Sequence, residues 1–320
     1  MSSALAVIGA GAWGTALAIQ AARAGAGPVA LVARDPAKAA AIEAARENPR
    51  LAGARLPDSV RVTTDPEGAT ILVLAVPTQQ LRAAAAALPA ADLLICCAKG
   101  VEAGTGRLPL EILAETHHAT QSVVLTGPNF AHEIAAGLPA AAVVAGPEPR
   151  AREAAIAALA TPTFRLYGNE DALGAQLGGA AKNVIAIAAG AVMGAGLGEN
   201  ARAALITRGL AELARLAVSL GGRAETVTGL SGLGDLLLTC TGPASRNYSL
   251  GFALGQGRGL AEVLAERSAV TEGVATAPAL LGRAGSVDLP ICRAVAAWLE
   301  GRITLTGAIA ELLARRMRDE

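Results

Sequence analysis

Two charged residues stand alone in apolar, glycine-rich stretches of this chain of 320 residues, and both side chains can take part in proton transfer. Lys182 lies between Gly-Gly-Ala-Ala and Asn-Val-Ile-Ala, and Asp235 lies inside the run Gly-Leu-Ser-Gly-Leu-Gly-Asp-Leu-Leu-Leu-Thr-Cys. Because charged side chains near a core are rarely buried unless they are paired, we expect these two to share one site. An ammonium group there can stabilise a developing alkoxide and pass it a proton. A purely structural ion pair would leave the same pattern, so that alternative stays open.

A third polar segment, Ser245-Arg246-Asn247, follows the turn residues Gly242 and Pro243. The forked N–H groups of arginine suit a phosphate group, and serine and asparagine add neutral donors. We therefore interpret the segment as an anion site for a small phosphate ester. A carboxylate could use the same donors, and an exposed turn leading into a helix is the structural alternative.

The glycines near the start of the chain follow the spacing G-x-G-x-x-G, at Gly9, Gly11 and Gly14. An apolar run precedes them and an alanine-rich stretch follows, which is the strand–turn–helix context of a dinucleotide-binding motif. Gly9 would allow the tight turn, Gly11 the close approach of a pyrophosphate, and Gly14 the packing of helix on strand. The alternative is a glycine-rich turn that binds nothing.

The choice between the two nicotinamide cofactors depends on the end of the second predicted strand. About twenty residues after such a glycine motif, an acidic residue normally binds the ribose of NAD, whereas an arginine can pair with the extra phosphate of NADP. Arg34 occupies that position, with Asp35 directly after it. We favour NADP(H), with NAD(H) possible if Asp35 faces the ribose instead.

Short apolar runs bounded by glycine or proline predict the elements that position these residues. They give eight strands, at Leu5–Ile8, Val29–Ala33, Val60–Thr63, Ile71–Val76, Leu93–Ala98, Val123–Thr126, Ala141–Ala145 and Thr163–Tyr167. Helical stretches alternate with them, at Thr15–Ala24, Pro36–Glu47, Gln79–Ala87 and Leu110–Thr116, with Asp35 as a cap for the second. This order predicts an α/β fold with a doubly wound, mostly parallel, Rossmann-like sheet, whose ligand crevice lies beyond the carboxyl ends of the strands.

The second half of the chain is predicted to be helical throughout. Asn200–Leu220 has leucine and isoleucine at steps of three and four, as one face of a helix requires. Further helices are predicted at Leu260–Glu266, Ala275–Arg283, Cys292–Leu299 and Ala308–Arg315. We therefore expect a dinucleotide-binding domain over residues 1–178 and an all-helical substrate and catalytic domain over residues 179–320.

Composition argues against several classes of partner. The chain has 27 basic and 27 acidic residues and only 2% aromatic residues, so we expect no nucleic-acid partner. The four cysteines show no C-x-x-C pair and no nearby histidines, so we predict neither a metal site nor a disulfide framework, in keeping with a cytoplasmic location. Since glycine or charge interrupts every long apolar run, we expect no membrane insertion.

Seven motifs together resemble those of the bacterial NAD(P)-dependent glycerol-3-phosphate dehydrogenases. They are GAGAWGTALA, AVPT, AKG, TGPNFA, AAKNVIAI, NARAALITRGLAE and GLSGLGDLLLTC. The resemblance implies an N-terminal dinucleotide fold, an all-helical C-terminal domain and reversible reduction of dihydroxyacetone phosphate to sn-glycerol 3-phosphate, which supplies the glycerophospholipid backbone. It also implies a homodimer.

The resemblance also implies roles for individual residues. Lys182 would be the proton donor and acceptor, and Asp235 would orient it. The implied substrate-binding residues are Lys99, Gly127, Asn129, Asn183, Thr239, Ser245, Arg246 and Asn247. The implied cofactor-binding residues are Gly9, Gly11, Ala12, Trp13, Gly14, Arg34, Lys99, Ala131, Arg246, Val270 and Glu272. The chain departs from the family's pattern at Asn129, where Ser or Thr is usual, and at His132, where Lys is usual; because an amide also donates a hydrogen bond, we expect Asn129 to function.

Two other functions are compatible with the same motifs. One is a related two-domain reductase that acts on a hydroxy acid or a sugar acid. The other is a non-catalytic protein that binds NADP(H) and senses redox state. The paired charges at Lys182 and Asp235 argue against the second.

Overall fold

The computed structural model describes residues 4–66, 68–118, 120–267 and 269–314, and the chain divides into two compact units. The first is drawn from Met1–Lys99 and Arg107–Gln176, and the second from Gly100–Gly106 and Leu177–Glu320. The division falls slightly before the boundary at residue 178 that the sequence suggests, and it lies within a continuous helix, so no break in secondary structure marks it. The short segment 100–106 belongs with the second unit because Arg283 donates a hydrogen bond of 2.9 Å to the main-chain oxygen of Gly106.

One eight-stranded sheet forms the centre of the described part of the first unit. Its strands are β1 (Leu5–Ile8), β2 (Val29–Val32), β3 (Val60–Thr63), β4 (Ile71–Leu74), β5 (Leu93–Cys96), β6 (Gln121–Thr126), β7 (Ala140–Ala145) and β8 (Phe164–Asn169). The order is β3-β2-β1-β4-β5-β6-β7-β8, and every neighbouring pair is parallel except β6 and β7. The predicted strands and the mostly parallel, doubly wound sheet are thereby confirmed.

The strand order reverses at β1, which lies between β2 and β4. In the register of the sheet, Ile8 pairs with Val32 on one side and with Leu74 on the other. All four residues of β1 are buried, as expected of a strand covered on both faces. The loops that follow these three strands therefore begin at one edge of the sheet, at its topological switch point.

Helices cover the sheet of the first unit. They are α1 (Ala12–Arg23), α2 (Pro36–Ala45), α3 (Thr78–Ala86), α4 (Pro109–Thr116), α5 (Ala131–Ala136) and α6 (Pro149–Leu159). The predicted cap of α2 is confirmed, because Asp35 Oδ1 accepts hydrogen bonds from Ala37 N at 2.9 Å and Lys38 N at 3.3 Å. The sequence did not predict α6, whose alanine-rich stretch shows little apolar periodicity, and α5 is too short to show any.

Helices also make up the described residues of the second unit, in which no strand occurs. The long helix α7 (Ala172–Gly194) crosses the boundary between the units. It is followed by α8 (Gly198–Ser219), α9 (Ala224–Thr228), a π-helical turn (Leu230–Gly234), α10 (Asp235–Cys240), α11 (Arg246–Gly255), α12 (Leu260–Ala265), α13 (Glu272–Ala284), α14 (Pro290–Leu299) and α15 (Leu305–Leu313). The predicted all-helical architecture is confirmed; Arg315, the predicted end of the last helix, lies outside the described residues.

Glycines on both helices bring α7 and α11 into close contact. A Cβ atom on Gly190 would lie 2.0 Å from the main-chain oxygen of Tyr248, and one on Gly251 would lie 1.9 Å from that of Ile187. Neither position has room for a side chain, so the two backbones pack directly on each other. This packing holds the start of α11 beside the middle of α7, which carries Lys182.

Among the described helices, α7 is long and apolar enough to cross a membrane by length and composition. Within its apolar window, 78% of the residues are buried in the protein. The central helix of a protein core has the same composition, so α7 is weak evidence for a membrane span.

A buried carboxylate joins α8 to the start of α14. Glu212 accepts hydrogen bonds from Ile291 N at 2.6 Å and from Cys292 N at 3.2 Å, and only 1% of the residue is exposed. These N–H groups lie in the first turn of α14, where no partner exists within the helix. Burial raises the pKa of Glu212 above its usual value, and the two main-chain donors oppose that shift.

Candidate active site

The turn between β1 and α1 has the shape that a dinucleotide-binding loop requires. Gly9 has φ +110°, and a Cβ atom on Gly14 would lie 1.9 Å from the main-chain oxygen of Gly9, so both glycines are needed by the fold itself. A Cβ on Gly11 would meet no atom within 4 Å. The described protein atoms therefore leave space beside Gly11, where the dinucleotide-binding motif expects a bound group to approach.

The first turn of α1 is also suited to an anion. Its N-cap is Gly11, no side chain caps it, and no acidic residue lies in its first turn. The main-chain N–H groups of Ala12 and Trp13 therefore begin a helix whose dipole favours negative charge. The residues present fit the pyrophosphate of a dinucleotide.

Trp13 contacts a cysteine that follows β5. Its side chain forms a hydrogen bond with the thiol of Cys97. Burial raises the pKa of Cys97 well above its usual value, so the thiol stays protonated. Cys97 therefore contacts the indole and is not a reactive nucleophile.

Arg34 and Asp35 follow β2 at the same edge of the sheet, and both are exposed. The Asp35 carboxylate is occupied by the cap of α2. Arg34 forms no hydrogen bond or ion pair with any residue in the described part of the chain. The Asp35 side chain thus already has main-chain partners, whereas the Arg34 side chain has none in the described part of the chain.

Lys99 follows β5 and reaches the loop after β6. Its Nζ donates a hydrogen bond of 3.0 Å to the main-chain oxygen of Gly127, whose φ is +148° and whose Cβ would lie 2.9 Å from Ala142 Cα. In the same loop, Asn129 Nδ2 donates to the main-chain oxygen of Ala141 at 3.2 Å, and Asn129 Oδ1 is buried without a hydrogen-bond partner. The structure thus brings together Lys99, Gly127 and Asn129, and Ala131 begins α5 directly after them.

Lys182 and Asp235 form a buried pair in the second unit. Lys182 Nζ lies 2.6 Å from Asp235 Oδ1 and donates a second hydrogen bond of 2.8 Å to Thr239 Oγ1. Thr239 Oγ1 in turn donates to the main-chain oxygen of Asp235 at 2.6 Å. The exposed fractions are 7% for Lys182, 2% for Asp235 and 5% for Thr239, so both charges are largely removed from solvent.

The glycines around Asp235 explain how it reaches Lys182. In the π-helical turn, a Cβ atom on Gly232 would lie 1.9 Å from the main-chain oxygen of Val227. On α7, a Cβ on Gly178 would lie 2.8 Å from that of Ser231. The turn therefore packs tightly on α9 and on α7, and it starts α10 with Asp235 facing the lysine.

A second polar contact lies one residue along α7. Asn247 Nδ2 donates to Asn183 Oδ1 at 2.9 Å, and Asn247 Oδ1 accepts from Gly273 N at 3.0 Å. Both asparagines are buried, and a Cβ on Gly273 would lie 2.8 Å from Asn247 Oδ1. The amide of Asn247 therefore joins three helices, α7, α11 and α13, beside the lysine.

The predicted anion segment forms the start of α11. Ser245 Oγ accepts a hydrogen bond from Tyr248 N at 3.2 Å and so caps the helix. Arg246 is exposed, and its Nη1 donates to the main-chain oxygen of Val270 at 3.0 Å. Val270 is itself 41% exposed, and Glu272 follows as the first residue of α13. The structure thus brings Arg246, Val270 and Glu272 into one neighbourhood.

Comparison with known proteins identifies the family. Two family models match, the NAD-dependent glycerol-3-phosphate dehydrogenase N-terminus over residues 4–152 and the C-terminus of the same family over residues 171–310. The glycerol-3-phosphate dehydrogenase [NAD(P)+] of Acidiphilium cryptum is 60% identical over 318 residues, which is 98% of each chain. The chain belongs to the NAD-dependent glycerol-3-phosphate dehydrogenase family.

Two further relatives agree with the family. The glycerol-3-phosphate dehydrogenase [NAD(P)+] of Gluconobacter oxydans is 50% identical over 319 residues and covers 97% of each chain. The crystal structure of glycerol-3-phosphate dehydrogenase from Coxiella burnetii superposes with a TM-score of 0.92 at 35% identity, over 98% of this chain and 99% of that one. The resemblance drawn from the motifs is confirmed, and with it the requirement for a nicotinamide cofactor.

Two residues of this chain contact the site region, but the sequence did not predict them. Gly273 supplies the N–H that fixes Asn247, and Arg267 contacts the main chain of Arg246 at 2.9 Å. Neither lies in a quoted motif. Gly273 and Arg267 are common residue types in ordinary sequence surroundings. The sequence therefore gives no signal that either residue contacts the site.

The cysteines and acidic residues of the site have no metal-binding arrangement in the described parts of the chain, where no group of three or more His, Cys, Asp or Glu side chains converges. Cys240, which follows Thr239, is buried. That burial raises the pKa of its thiol to about 12, with a smaller opposing effect from Lys182. The thiol stays protonated at neutral pH.

Proposed function

We propose that this chain catalyses the reversible reduction of dihydroxyacetone phosphate to sn-glycerol 3-phosphate with a nicotinamide cofactor, and so supplies the backbone of glycerophospholipids. The observation that carries the proposal is the buried Lys182–Asp235–Thr239 cluster in a chain of this family. A reducible ketone oxygen gains negative charge as hydride arrives, and a fixed ammonium group is suited to stabilise and protonate it.

In this proposal Lys182 is the general acid of reduction and the general base of the reverse reaction. Asp235 and Thr239 orient its ammonium group, because each accepts one of its hydrogen bonds. Their own positions are fixed by the bond from Thr239 Oγ1 to the main chain one helical turn earlier. The lysine therefore has little rotational freedom to lose when substrate binds.

The phosphate of the substrate is assigned to the start of α11. Arg246 supplies a charged fork of donors, and Ser245 and Asn247 lie on either side of it. Asn183 holds Asn247 in place through the 2.9 Å hydrogen bond. From the first unit, Lys99, Gly127 and Asn129 are assigned to the substrate near the nicotinamide, and the unpartnered Asn129 Oδ1 is an acceptor for a substrate hydroxyl or a carboxamide.

The cofactor supplies the hydride when it is bound. In the first unit, Gly9, Gly11, Ala12, Trp13 and Gly14 are assigned to its pyrophosphate half, and Ala131 to its nicotinamide half. In the second unit, Arg246, Val270 and Glu272 are assigned to the same group. We infer a preference for NADP(H) over NAD(H), because Arg34 is available to the extra phosphate while the Asp35 carboxylate caps α2.

The alternatives are not favoured. A reductase of hydroxy acids or sugar acids would share the fold, but the chain's family and its arginine–asparagine segment favour a small phosphate ester. A redox sensor without activity would have no need of a buried lysine held by two acceptors.

The test is the loss of NADPH absorbance when purified protein is mixed with dihydroxyacetone phosphate. We expect turnover with this substrate, and turnover at least about tenfold weaker, by kcat/KM, with unphosphorylated dihydroxyacetone, since the charged hydrogen bonds to phosphate are lost. Equal turnover of 2-keto acids would favour the alternative reductase. NADPH binding without turnover of any of these substrates would favour the sensor.

Two further parts of the proposal concern the protein in the cell. We infer a homodimer and a cytoplasmic location from the family and the composition. Mass photometry of the purified protein tests the first, and fractionation of cells tests the second.

A further inference from the structure

Arg267 lies in the loop between α12 and α13, and its guanidinium binds the first turn of α11. Its Nη1 donates a hydrogen bond of 2.9 Å to the main-chain oxygen of Arg246. Its Nη2 donates to Ser249 Oγ at 3.1 Å, and Ser249 Oγ donates to the same Arg246 oxygen at 3.1 Å. These three hydrogen bonds connect Arg267, Ser249 and the main-chain oxygen of Arg246 to one another.

The same loop also holds the side chain of Arg246. Val270, three residues after Arg267, accepts the hydrogen bond from Arg246 Nη1 through its main-chain oxygen. Arg246 is therefore held at its main chain by a side chain of the loop and at its guanidinium by the loop's main chain. An arginine fixed at both ends loses less rotamer entropy when it binds an anion.

The two guanidinium groups form a positively charged neighbourhood. Neither Arg246 nor Arg267 forms an ion pair with a carboxylate in the described parts of the chain. Burial, together with the positive charges of Arg246 and Arg258, lowers the pKa of Arg267, while Glu266 opposes this. A bound dianion would relieve this repulsion, which favours anion binding at Arg246.

We propose that Arg267 is a positioning residue for phosphate binding, which holds Arg246 through its two-armed hydrogen bonding and adds a second positive charge to the site. This inference rests on the proposed function, because it takes Arg246 to bind the phosphate of the substrate. Arg267 itself is not placed on the substrate. Its effect is expected in the affinity for phosphorylated ligands and not in the hydride or proton transfer.

Two variants of Arg267 separate its geometry from its charge. R267M removes both the hydrogen bonds and the charge, and R267K keeps the charge but cannot form the planar two-armed contact. R258M is the control for charge alone, because Arg258 adds positive charge near Arg267 but forms its ion pairs with Glu262 and Glu266 and no hydrogen bond with Arg246 in the described structure. S249A removes one acceptor of Arg267 and leaves its bond to Arg246.

The measurements are steady-state kinetics and inhibition by inorganic phosphate, with dihydroxyacetone phosphate as the varied substrate. For R267M we expect KM for this substrate and Ki for phosphate to rise about tenfold or more, with kcat within about threefold of the parent, since charge-assisted hydrogen bonds are lost outside the reacting atoms. R267K and S249A should show smaller rises of the same kind. R258M should stay within about twofold, as exposed ion pairs contribute little.

The result that overturns the proposal is a KM and a phosphate Ki for R267M within twofold of the parent, or equal rises in R267M and R258M. A rise in KM that is the same for unphosphorylated dihydroxyacetone would also overturn it. If the thermal unfolding curve shows that R267M is not folded, R267K and S249A are measured in its place. The same outcomes would then overturn the proposal. If the parent protein does not reduce dihydroxyacetone phosphate, the proposed function fails first, and this inference fails with it.

Discussion

The ammonium group of Lys182 lies 2.6 Å from the carboxylate of Asp235, although 53 positions of sequence separate the two residues. Both are almost fully buried, and Thr239 accepts a second hydrogen bond from the lysine. A buried pair of this kind is costly to break, because the remaining charge has no compensating partner. The proposed role of the lysine in the reaction would account for a charged pair at this buried position.

Removal of the lysine is the direct test of that role. We expect Lys182→Ala to lower kcat by about two to four orders of magnitude, the usual range for losing general acid–base catalysis, while NADPH binding measured by fluorescence stays unchanged. Lys38→Ala, at an exposed lysine on α2, is the control and should leave kcat unaltered. A Lys182→Ala enzyme within threefold of the parent would contradict the assignment.

The pair also makes a prediction about stability. Lys182→Met should lower the free energy of unfolding by about 3–5 kcal/mol, because it leaves Asp235 buried without its cation. The double variant Lys182→Met with Asp235→Asn should recover at least about 1 kcal/mol of that loss, since the buried charge is gone. Urea denaturation measures both values. Additive losses in the double variant would mean that the two charges do not stabilise each other.

Two glycines of the β1–α1 turn should respond differently to substitution. Gly11→Val should weaken NADPH binding and leave the free energy of unfolding nearly unchanged, because its Cβ enters space that no protein atom occupies. Gly14→Ala should lower stability, because its Cβ would lie 1.9 Å from the main-chain oxygen of Gly9. Fluorescence titration and thermal unfolding measure the two effects. Unimpaired cofactor binding by the Gly11→Val variant would contradict the assignment of the pyrophosphate to this turn.

The preference between cofactors is tested at the end of β2. Arg34→Ala should raise KM for NADPH about tenfold, by loss of a charge-assisted hydrogen bond to the extra phosphate, and should leave KM for NADH unchanged. Steady-state assays with each cofactor measure the ratio. Equal changes for both cofactors would assign Arg34 a general electrostatic role only.

Glu212 should make stability depend on pH. Because burial raises its pKa in the folded protein above the reference value of 4.5, the unfolded chain releases this proton first as the pH rises, and the folded state then binds more protons. The contribution of Glu212 to stability is therefore complete below pH 4.5 and declines as the pH rises through its folded pKa. Unfolding free energies of the parent and of Glu212→Gln should diverge accordingly between acid and neutral pH. A difference that does not vary with pH would show that the pKa of Glu212 is not raised.

Much of the first unit could be predicted from the sequence. Strands β1 and β3 have the predicted bounds, because a strand buried on both faces is a short apolar run that ends where glycine, proline or polar residues begin. Asp35 caps α2 as predicted, since the cap and its proline are local features. The same cap engages Oδ1 of Asp35, which supports the proposed preference for NADP(H) over NAD(H).

The rest of the fold and of the candidate site depends on which segments, distant in sequence, pack together. The close contact between α7 and α11 brings Asn183 to Asn247. It forms because glycines on each helix pack against the backbone of the other. No sequence pattern within either helix predicts which other helix it packs against. The contacts of Arg267 and of the segment 100–106 were missed for the same reason.

Local chemistry in the chain itself therefore determined the sheet, the glycine turn, the helical second half and the identities of the charged residues in apolar surroundings. The sequence also predicted that Lys182 and Asp235 share one site. Only the tertiary structure decided that Lys182 binds Thr239 as well, that Asn247 joins three helices, and that Arg267 holds Arg246. Strand and cap signals arise between neighbours in sequence, whereas these contacts arise between side chains that meet only after the helices have packed.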